Sequence, residues 1–223
     1  MKKVWMAALC AAAVLTGCSI NLNRNVVFCK GEVLHKDMEL TGFDRIQING
    51  SADLEFVQAQ ESKVSVTANE EVFQYLNFHV KDGVLILETV DSVQIKAETF
   101  DVFVSAPVLK DITVNGAADA RVAGVDSDET LTITVNGAGD IKLKDIRVPR
   151  LDFSVNGAGD LDATGLKVGK LSVNVRGAGD ADLSGEAGSA VLSVSGAGDV
   201  NARGLSCPDI QVHKSGAARI RTQ

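Results

Sequence analysis

Five aspartates that recur at nearly constant intervals are the residues of this sequence with the clearest capacity for chemistry. They follow one another in steps of 21, 20, 20 and 19 residues and are Asp119, Asp140, Asp160, Asp180 and Asp199. In a stacked structure their carboxylates would form a column about 5 Å apart and repel by about 1 kcal/mol per pair in water. Two arrangements would offset this repulsion: hydrogen bonds from backbone N–H groups of the same turn, or a calcium ion shared along the column.

Carboxylates on a β-helical face could also cleave polysaccharides as an acid and base pair. Such an active site needs residues that occur once, whereas these aspartates are equivalent. Aromatic side chains, which stack on sugars, make up only 4% of the sequence. We therefore assign no catalytic residue and expect a protein that is not an enzyme. Two alternatives stay open: a carbohydrate-processing or carbohydrate-binding protein, and a calcium-stabilised structural module.

The histidines are scattered along the sequence. His35, His79 and His213 lack the spacing of paired metal ligands, so we expect surface or strand positions for them. The sequence contains no phosphate-binding loop, and its recurring glycines are not evidence for a dinucleotide fingerprint. We therefore expect no cofactor, apart from the calcium that the aspartate column could hold.

The aspartates close a repeated turn with the sequence Asn-Gly-Ala-Gly-Asp. The first position of the turn holds asparagine in three copies and the second holds glycine in five: Asn115, Asn136 and Asn156, and Gly116, Gly137, Gly157, Gly177 and Gly196. Apolar residues alternate before each turn, as in Leu131, Ile133 and Val135, which is the period of a strand with one buried face. A step of about 20 residues suits one coil of a solenoid, whereas a propeller blade needs about 40. The sequence therefore predicts an all-β fold, a parallel β-solenoid or β-helix with about 20 residues per coil.

Each residue of the turn has a predicted role. Glycine permits a positive φ at the corner. The alanine is expected to fit between neighbouring coils, and the asparagines are expected to form a ladder of side-chain amides. The last copy carries Lys214 at the buried valine position and Arg219 at the aspartate position, where Arg219 could pair with Asp199. These charges suit a terminal coil, because lysine at a sheet edge opposes end-to-end association.

Residues 27–113 lack the 20-residue period and are expected to form a mixed β region that caps the solenoid of residues 114–223. The two parts would make one continuous domain, 27–223. An early turn at Asn49-Gly50 would lead into the solenoid, and Asp82-Gly83 would form a hairpin turn. Asn69 would be the N-cap of a short helix.

The N-terminus has the features of a lipoprotein signal peptide. Lys2 and Lys3 precede an apolar run of 12 residues, 4–15, which is too short to span a membrane. The run ends in Leu-Thr-Gly followed by Cys18, which resembles the bacterial lipobox. This resemblance implies removal of residues 1–17 and acylation of Cys18, with residues 18–26 as a tether. The next residue, Ser19, is not the aspartate associated with inner-membrane retention, which favours the outer membrane.

The charge of the chain limits its partners. The net charge is −7, and becomes about −9 if Lys2 and Lys3 leave with the signal peptide. Such a surface repels nucleic acid and anionic lipid, so we expect no nucleic-acid partner. The expected partners are the membrane, through the lipid anchor, and an unknown protein or glycan.

Two cysteines would remain in the body of the exported protein, Cys29 and Cys207. A disulfide would persist in that compartment. The ends of a solenoid lie far apart, however, and a disulfide requires Cα atoms within about 7 Å. Pairing and two free thiols both stay open.

The order of these motifs resembles a known family. A lipobox, then Phe43-Asp44-Arg45-Ile46-Gln47-Ile48-Asn49-Gly50, then Asp82-Gly83-Val84-Leu85-Ile86, then serial Asn-Gly-Ala-Gly-Asp turns is similar to the putative autotransporter adhesin, head GIN domain family. The resemblance implies a right-handed, mostly parallel β fold and supplies no catalytic residues. We therefore expect a non-enzymatic envelope lipoprotein whose solenoid surface serves binding or adhesion.

Overall fold

The structure, a computed structural model, describes residues 25–90 and 93–222. It is 69% strand and 3% helix, with about six solenoid turns about 20 residues apart. The predicted fold class, an all-β solenoid, is therefore confirmed.

The region before the repeats consists of short strands and one 3₁₀ helix. They are β1 (Asn25–Cys29), β2 (Val33–Met38), β3 (Arg45–Gly50), β4 (Asp53–Gln58), β5 (Lys63–Asn69), the 3₁₀ helix (Glu70–Tyr75), β6 (His79–Lys81), β7 (Val84–Glu88), β8 (Val93–Ala97) and β9 (Phe100–Ala106). Because β1 begins at Asn25, regular structure starts within the last residues of the predicted tether.

The repeat region continues with strands that lengthen towards the middle of the solenoid. They are β10 (Asp111–Gly116), β11 (Ala120–Ala123), β12 (Leu131–Gly137), β13 (Ile141–Lys144), β14 (Arg147–Gly157), β15 (Leu161–Gly177), β16 (Ala181–Gly196), β17 (Asp199–Ser206), β18 (Ile210–Gly216) and β19 (Arg219–Arg221). Equivalent residues of successive coils pair in parallel and in register, as Asn115 does with Asn136 and Asn136 with Asn156.

The alternating apolar residues of each strand fill the solenoid interior. Leu131, Ile133 and Val135 are fully buried, and the same positions one coil later hold Leu151, Phe153 and Val155. Side chains alternate across a strand, so the residues between them face outwards and are polar. The core is therefore a stack of equivalent apolar layers, which explains how a chain with few aromatic residues fills it.

The coils do not stack in the order of the sequence at the N-terminal end. Strands β3 and β4 lie directly under β10 and β11, with Asn49 opposite Asn115 and Leu54 opposite Ala120. On their other side, β3 pairs with β7 and β4 with β9, again in parallel. Residues 59–110 are thus inserted beneath the first Asn-Gly turn, and the chain then returns to continue the stack above it.

The inserted residues close this end of the solenoid. Strand β5 pairs antiparallel with β9, and β2 pairs antiparallel with β5. The predicted hairpin is confirmed: β6 and β7 are antiparallel, and Asp82 and Gly83 have φ values of 51° and 76°. Two adjacent residues of positive φ are typical of the tight hairpin turn that matches strand twist.

Asn69 precedes the 3₁₀ helix, as expected, but its side chain does not cap it. Its Nδ2 donates to the carbonyl oxygen of Gly31 at 2.9 Å, and its Oδ1 accepts the N–H groups of Glu98 and Thr99 at 3.1 Å. Asn69 is 1% exposed. It therefore joins two loops to the cap, and buried polar groups outside the helix outcompete the helix N-terminus for its side chain.

The described residues include no helix that is both long enough and apolar enough to cross a membrane.

Candidate functional site

The recurring aspartates form one hydrogen-bonded column at the corner that follows each turn. The Oδ1 atom of each aspartate accepts the backbone N–H of the aspartate one coil further on. These bonds are 3.0 Å from Asp119 to Asp140, 3.1 Å from Asp140 to Asp160, and 2.8 Å at each of the next two steps, to Asp180 and to Asp199. The column begins one coil earlier than predicted, because Asp53 accepts the N–H of Asp119 at 3.0 Å.

This geometry changes one prediction about the column. The carboxylates do accept backbone N–H groups, but those groups belong to the next coil and not to their own turn. Each bond therefore links two coils and places a donor dipole between neighbouring carboxylates, which offsets part of their repulsion. In the described ranges, 25–90 and 93–222, no group of three or more His, Cys, Asp or Glu side chains could hold a metal ion.

The asparagines form the expected ladder at the first position of the turn. Nδ2 of Asn156 donates to Oδ1 of Asn136, Asn136 donates to Asn115, and Asn115 donates to Asn49, each at 3.0 Å. The ladder ends in the cap, where Glu88 accepts from Asn49 at 3.0 Å. All these amides point the same way, so Asn115 and Asn136 each accept one bond and donate one, and Asn49 also accepts a bond from Nε2 of Gln47 at 2.9 Å. A carboxylate suits the last position, because it only accepts.

The glycine after each asparagine has a positive φ, which is 149° at Gly137. A Cβ atom there would lie 1.9 Å from the carbonyl oxygen of Gly116 in the preceding coil. That oxygen accepts the N–H of Ala138 at 2.9 Å. The first glycine of each turn therefore allows the backbones of neighbouring coils to approach closely.

The prediction for the alanine of the turn was wrong. Ala138 and its equivalents are exposed, whereas the glycine that follows, such as Gly139, is buried. A Cβ atom on Gly139 would lie 2.1 Å from the carbonyl oxygen of Ala118. The small residue that contacts the neighbouring coil is thus the second glycine, and the alanine faces solvent.

The last aspartate of the column has cationic partners. Oδ2 of Asp199 lies 3.9 Å from Nη1 of Arg219 and 3.4 Å from Nη2 of Arg221. The predicted pair of Asp199 with Arg219 is present, and Arg221 is the closer partner. Lys214 lies on β18, where every residue from Gln211 to Gly216 is exposed. An ammonium at a position that is buried in earlier coils is therefore hydrated here.

An open groove of about 380 Å³ lies at the other end of the column. Its lining includes three acidic residues, Asp53, Glu55 and Asp101, together with Arg121 and Phe103. Asp53 lies opposite Asp101, and Glu55 lies opposite Phe103, because β4 and β9 pair in register. Carboxylates, a guanidinium and an aromatic ring can bind a small ligand that carries hydroxyl or amino groups.

The pKa of Asp53 is raised above its ordinary value of 3.8. Burial is the main cause, and the negative charges of Asp119 and Asp101 add to the shift. The hydrogen bond from the Asp119 N–H and the charge of Arg121 act in the opposite direction. The ionised carboxylate of Asp53 therefore slightly lowers the free energy of unfolding near neutral pH.

This shift predicts a stabilising substitution. A carboxyl with a raised folded-state pKa stabilises the fold only when protonated, so stability falls as the pH rises through that pKa. Asp53→Asn keeps an acceptor for the Asp119 N–H and has no charge. We expect it to raise the melting temperature at pH 7 by about 2–4 °C, for about 1 kcal/mol of relieved repulsion. At pH 3 the parent and Asp53→Asn should have the same melting temperature.

Circular dichroism melts at both pH values check this prediction. Asp128→Asn, which removes an exposed aspartate outside the column, is the control and should not move the melting temperature at either pH. A variant Asp53→Asn that melts below the parent at pH 7 would contradict the assignment.

The histidines and cysteines within the described part of the chain form no common site. His35 contacts Thr67 and Asp37, His79 contacts the carbonyl oxygen of Asn77, and His213 is exposed on β18. Cys29 and Cys207 are free thiols, which resolves the alternative of a disulfide in favour of no pairing. Cys29 is buried in β1, and burial raises the pKa of its thiol. Cys18, the predicted lipid attachment site, lies outside the described residues.

Sequence reasoning missed most of the groove. Asp53 belongs to the early copy of the turn, which was the available signal. The same signal covers Arg121, which follows the next copy of the turn and lies opposite Glu55. Asp101 reaches the groove through the pairing of β4 with β9, which follows no copy of the turn, and the sequence offers no signal for that pairing.

The fold and its columns define a class of protein, β-solenoids that stack on Asn-Gly-Ala-Gly-Asp turns. The sequence matches the family described as "Putative auto-transporter adhesin, head GIN domain" over residues 42–166 and 132–223. These segments cover well over half of the chain, and the protein belongs to this family. None of the curated proteins matches the sequence.

Several solved structures share the fold. A "putative lipid binding protein" from Parabacteroides distasonis is 18% identical, with a TM-score of 0.79 over 89% of this chain and 100% of its own. A "putative adhesin" from the same species is 22% identical, with a TM-score of 0.72 over 89% of this chain and 84% of its own. A third, a "putative adhesin" from Bacteroides fragilis, is 16% identical, with a TM-score of 0.69 over 88% of this chain and 100% of its own. At these identities the similarity establishes the fold alone.

Proposed function

We propose that this protein is a non-enzymatic lipoprotein of the cell envelope, and that its rigid solenoid surface serves binding or adhesion. The observation that carries this proposal is the regularity of the stack. The asparagine ladder and the aspartate column tie each coil to the next. Outward side chains consequently lie at fixed spacings along a stiff scaffold, which suits recognition of an extended partner.

The relatives support the same class of function. The family is named for an adhesin head, and two of the solved structures are described as putative adhesins. The repeated aspartates already serve as hydrogen-bond acceptors between coils, which is a structural use. A binding surface therefore accounts for this chain better than an enzyme active site.

The lipid anchor is the part of the proposal that one substitution tests. A chain without the acylated cysteine has no lipid to hold it at the bilayer, so we expect Cys18→Ala to move the protein completely from the membrane fraction to the soluble fraction. Cell fractionation followed by immunoblotting measures this. Cys207→Ala, the same exchange at a cysteine far from the leader, should leave the protein in the membrane fraction. Membrane retention of Cys18→Ala would refute the anchor.

The binding function is tested by capture of a partner from intact cells with the full-length chain. The enzyme alternative makes a different prediction. Turnover of a defined polysaccharide by the purified protein, abolished by Asp140→Asn or Asp160→Asn, would overturn the proposal.

A further inference from the structure

Positive charge is concentrated in two neighbouring coils of this acidic protein. Leaving out the aspartate of each turn, residues 141–159 contain four cations and two carboxylates, and residues 161–179 contain three cations and one carboxylate. The neighbouring segments have the opposite sign. Residues 120–139 contain one cation and three carboxylates, and residues 181–198 contain two carboxylates and no cation. A positive zone two coils wide is thus bordered by a negative coil on each side.

Six exposed cations of these two coils form a surface that we call the basic band: Lys142, Lys144, Arg147, Arg150, Lys167 and Lys170. The pairing of β14 with β15 is in register and places Arg147 opposite Lys167, and Arg150 opposite Lys170. Paired strands are about 4.8 Å apart, so two like-charged pairs lie side by side. Like charges directly opposite each other on a sheet are unfavourable.

Most cations of the basic band form no ion pair with a carboxylate in the described part of the chain. Arg147 forms an ion pair with Asp126 at 3.3 Å, and Arg150 forms one with Asp152 at 2.7 Å. No carboxylate in residues 25–90 or 93–222 forms an ion pair with Lys144, Lys167 or Lys170. The protein therefore relieves the repulsion within the stacked pairs only in part: both arginines are ion-paired and Glu186 lies opposite Lys167 on β16, whereas Lys167 and Lys170 form no ion pair in the described residues.

The backbone between the two lysines of β15 is open to a ligand. Val168, which is buried, and Gly169 separate Lys167 from Lys170, and Gly169 lies over Pro149 of the preceding coil. A Cβ atom at Gly169 would be 2.6 Å from the carbonyl oxygen of Pro149, so the stacking excludes a side chain there. The equivalent position one coil further on is also a glycine, Gly188, which lies over Gly169 in the same way. Cations therefore flank a low floor, which Pro149 forms in one coil and Gly169 in the next, and together they make a shallow anion-binding track.

We propose that the basic band binds a linear anionic polysaccharide, whose carboxylate or sulfate groups neutralise the stacked cations. This inference rests on the proposed function and names the chemistry of its partner. It also revises the expectation from net charge, because a protein of net charge −7 can bind a polyanion where the cations are segregated.

The shape of the basic band favours a chain over a flat anionic surface. Lys142 and Lys144 lie on β13, before the corner at Asp145, whereas Arg147 and Lys167 lie beyond that corner. A membrane plane contacts one face of the solenoid at a time, and it would also meet the acidic coils on both sides. A flexible chain can follow the basic band around the corner and avoid them.

Nucleic acid fits the basic band less well. Single-stranded nucleic acid binds through stacking of bases on aromatic side chains as well as through charge. The only aromatic residue in 141–179 is Phe153, which is 1% exposed and therefore cannot stack on a base. The charged groups of an anionic polysaccharide, in contrast, can pair with the cations directly, without stacking of its sugar rings.

The test uses the full-length protein in detergent and immobilised polygalacturonate as the probe, with a chelator present to exclude calcium bridging. We expect binding that weakens with salt, and none to neutral dextran. The double variant Lys167→Gln/Lys170→Gln should lower the affinity about 25-fold, at about fivefold for each lysine. The control Lys30→Gln/Lys81→Gln removes two exposed lysines of the cap and should change the affinity less than twofold.

Several results would overturn this inference. Equal losses in the two double variants would mean that net charge alone controls binding. Tighter binding to anionic phospholipid vesicles or to single-stranded DNA, lost on Lys167→Gln/Lys170→Gln, would assign the basic band to those partners instead. Membrane fractionation of the same variants keeps the two proposals apart. Failure to bind polygalacturonate with the membrane anchor intact contradicts this inference alone, whereas loss of the anchor with binding retained contradicts only the proposed function.

Discussion

Gly177→Ala is expected to lower the free energy of unfolding by about 3–5 kcal/mol, and the melting temperature by about 10 °C or more. A Cβ atom at this position would lie 1.9 Å from the carbonyl oxygen of Gly157, a contact that backbone atoms cannot relieve by a small shift. The same oxygen accepts the N–H of Ala178 at 2.9 Å. The methyl group would therefore separate the two coils and break a hydrogen bond between them. Thermal unfolding followed by circular dichroism measures the effect.

Two controls separate the causes of this loss. Gly177 has a φ of +138°, which side chains rarely adopt, so part of the cost is conformational. Gly42 also has a positive φ, +79°, but a Cβ atom there would meet nothing within 4 Å. Gly42→Ala should thus cost only about 1 kcal/mol. Ala178→Ser changes an exposed side chain of the same turn and should be within about 0.5 kcal/mol of the parent. Equal losses in Gly177→Ala and Gly42→Ala would show that the contact between coils is not the cause.

The repeat made much of the architecture predictable. A fixed step and a fixed turn sequence imply that equivalent residues stack, and the asparagine ladder follows from that stacking and from the chemistry of an amide. The partner of Asp140 was harder to predict. Sequence alone does not say whether an N–H of the same turn or of the next coil is nearer, because that depends on the local path of the backbone. The prediction that Ala138 fits between the coils was wrong for the same reason, because the path of the backbone exposes Ala138 and buries Gly139.

The N-terminal stacking order could not have been predicted from periodicity. The segment of residues 84–106 lies beneath that of residues 45–58, although it comes later in the sequence. Its strands pair with β3 and β4 through backbone hydrogen bonds, which any extended segment can supply. The groove is a product of this insertion, since Asp101 reaches Asp53 only because β9 lies beside β4. The part of the groove that comes from β9, which follows no copy of the turn, leaves no periodic signal.

The terminal coil provides the second large effect, because one column of the core contains both an internal valine and a terminal lysine. Val175 pairs in register with Val194, and Val194 with Lys214. The two valines are 1% and 2% exposed, whereas Lys214 is exposed. Val175→Lys would place an ammonium between two apolar layers with no carboxylate to pair with it. We expect a loss of about 4 kcal/mol or more, or a protein that does not fold.

The reverse exchange, Lys214→Val, is the matched control and tests what the terminal charge does. It should leave the melting temperature nearly unchanged, because the side chain stays at the surface. Val212 on the same strand is already 42% exposed, so a second valine would enlarge an apolar sheet edge that lysine otherwise keeps hydrated. We therefore expect Lys214→Val to associate at increasing concentration, as measured by light scattering after size exclusion, while the parent stays at constant mass. A fold that tolerates Val175→Lys as readily as Lys214→Val would mean that this column is not a dry core. If the molar mass of Lys214→Val did not change with concentration, Lys214 would not be what prevents association at the edge strand β18.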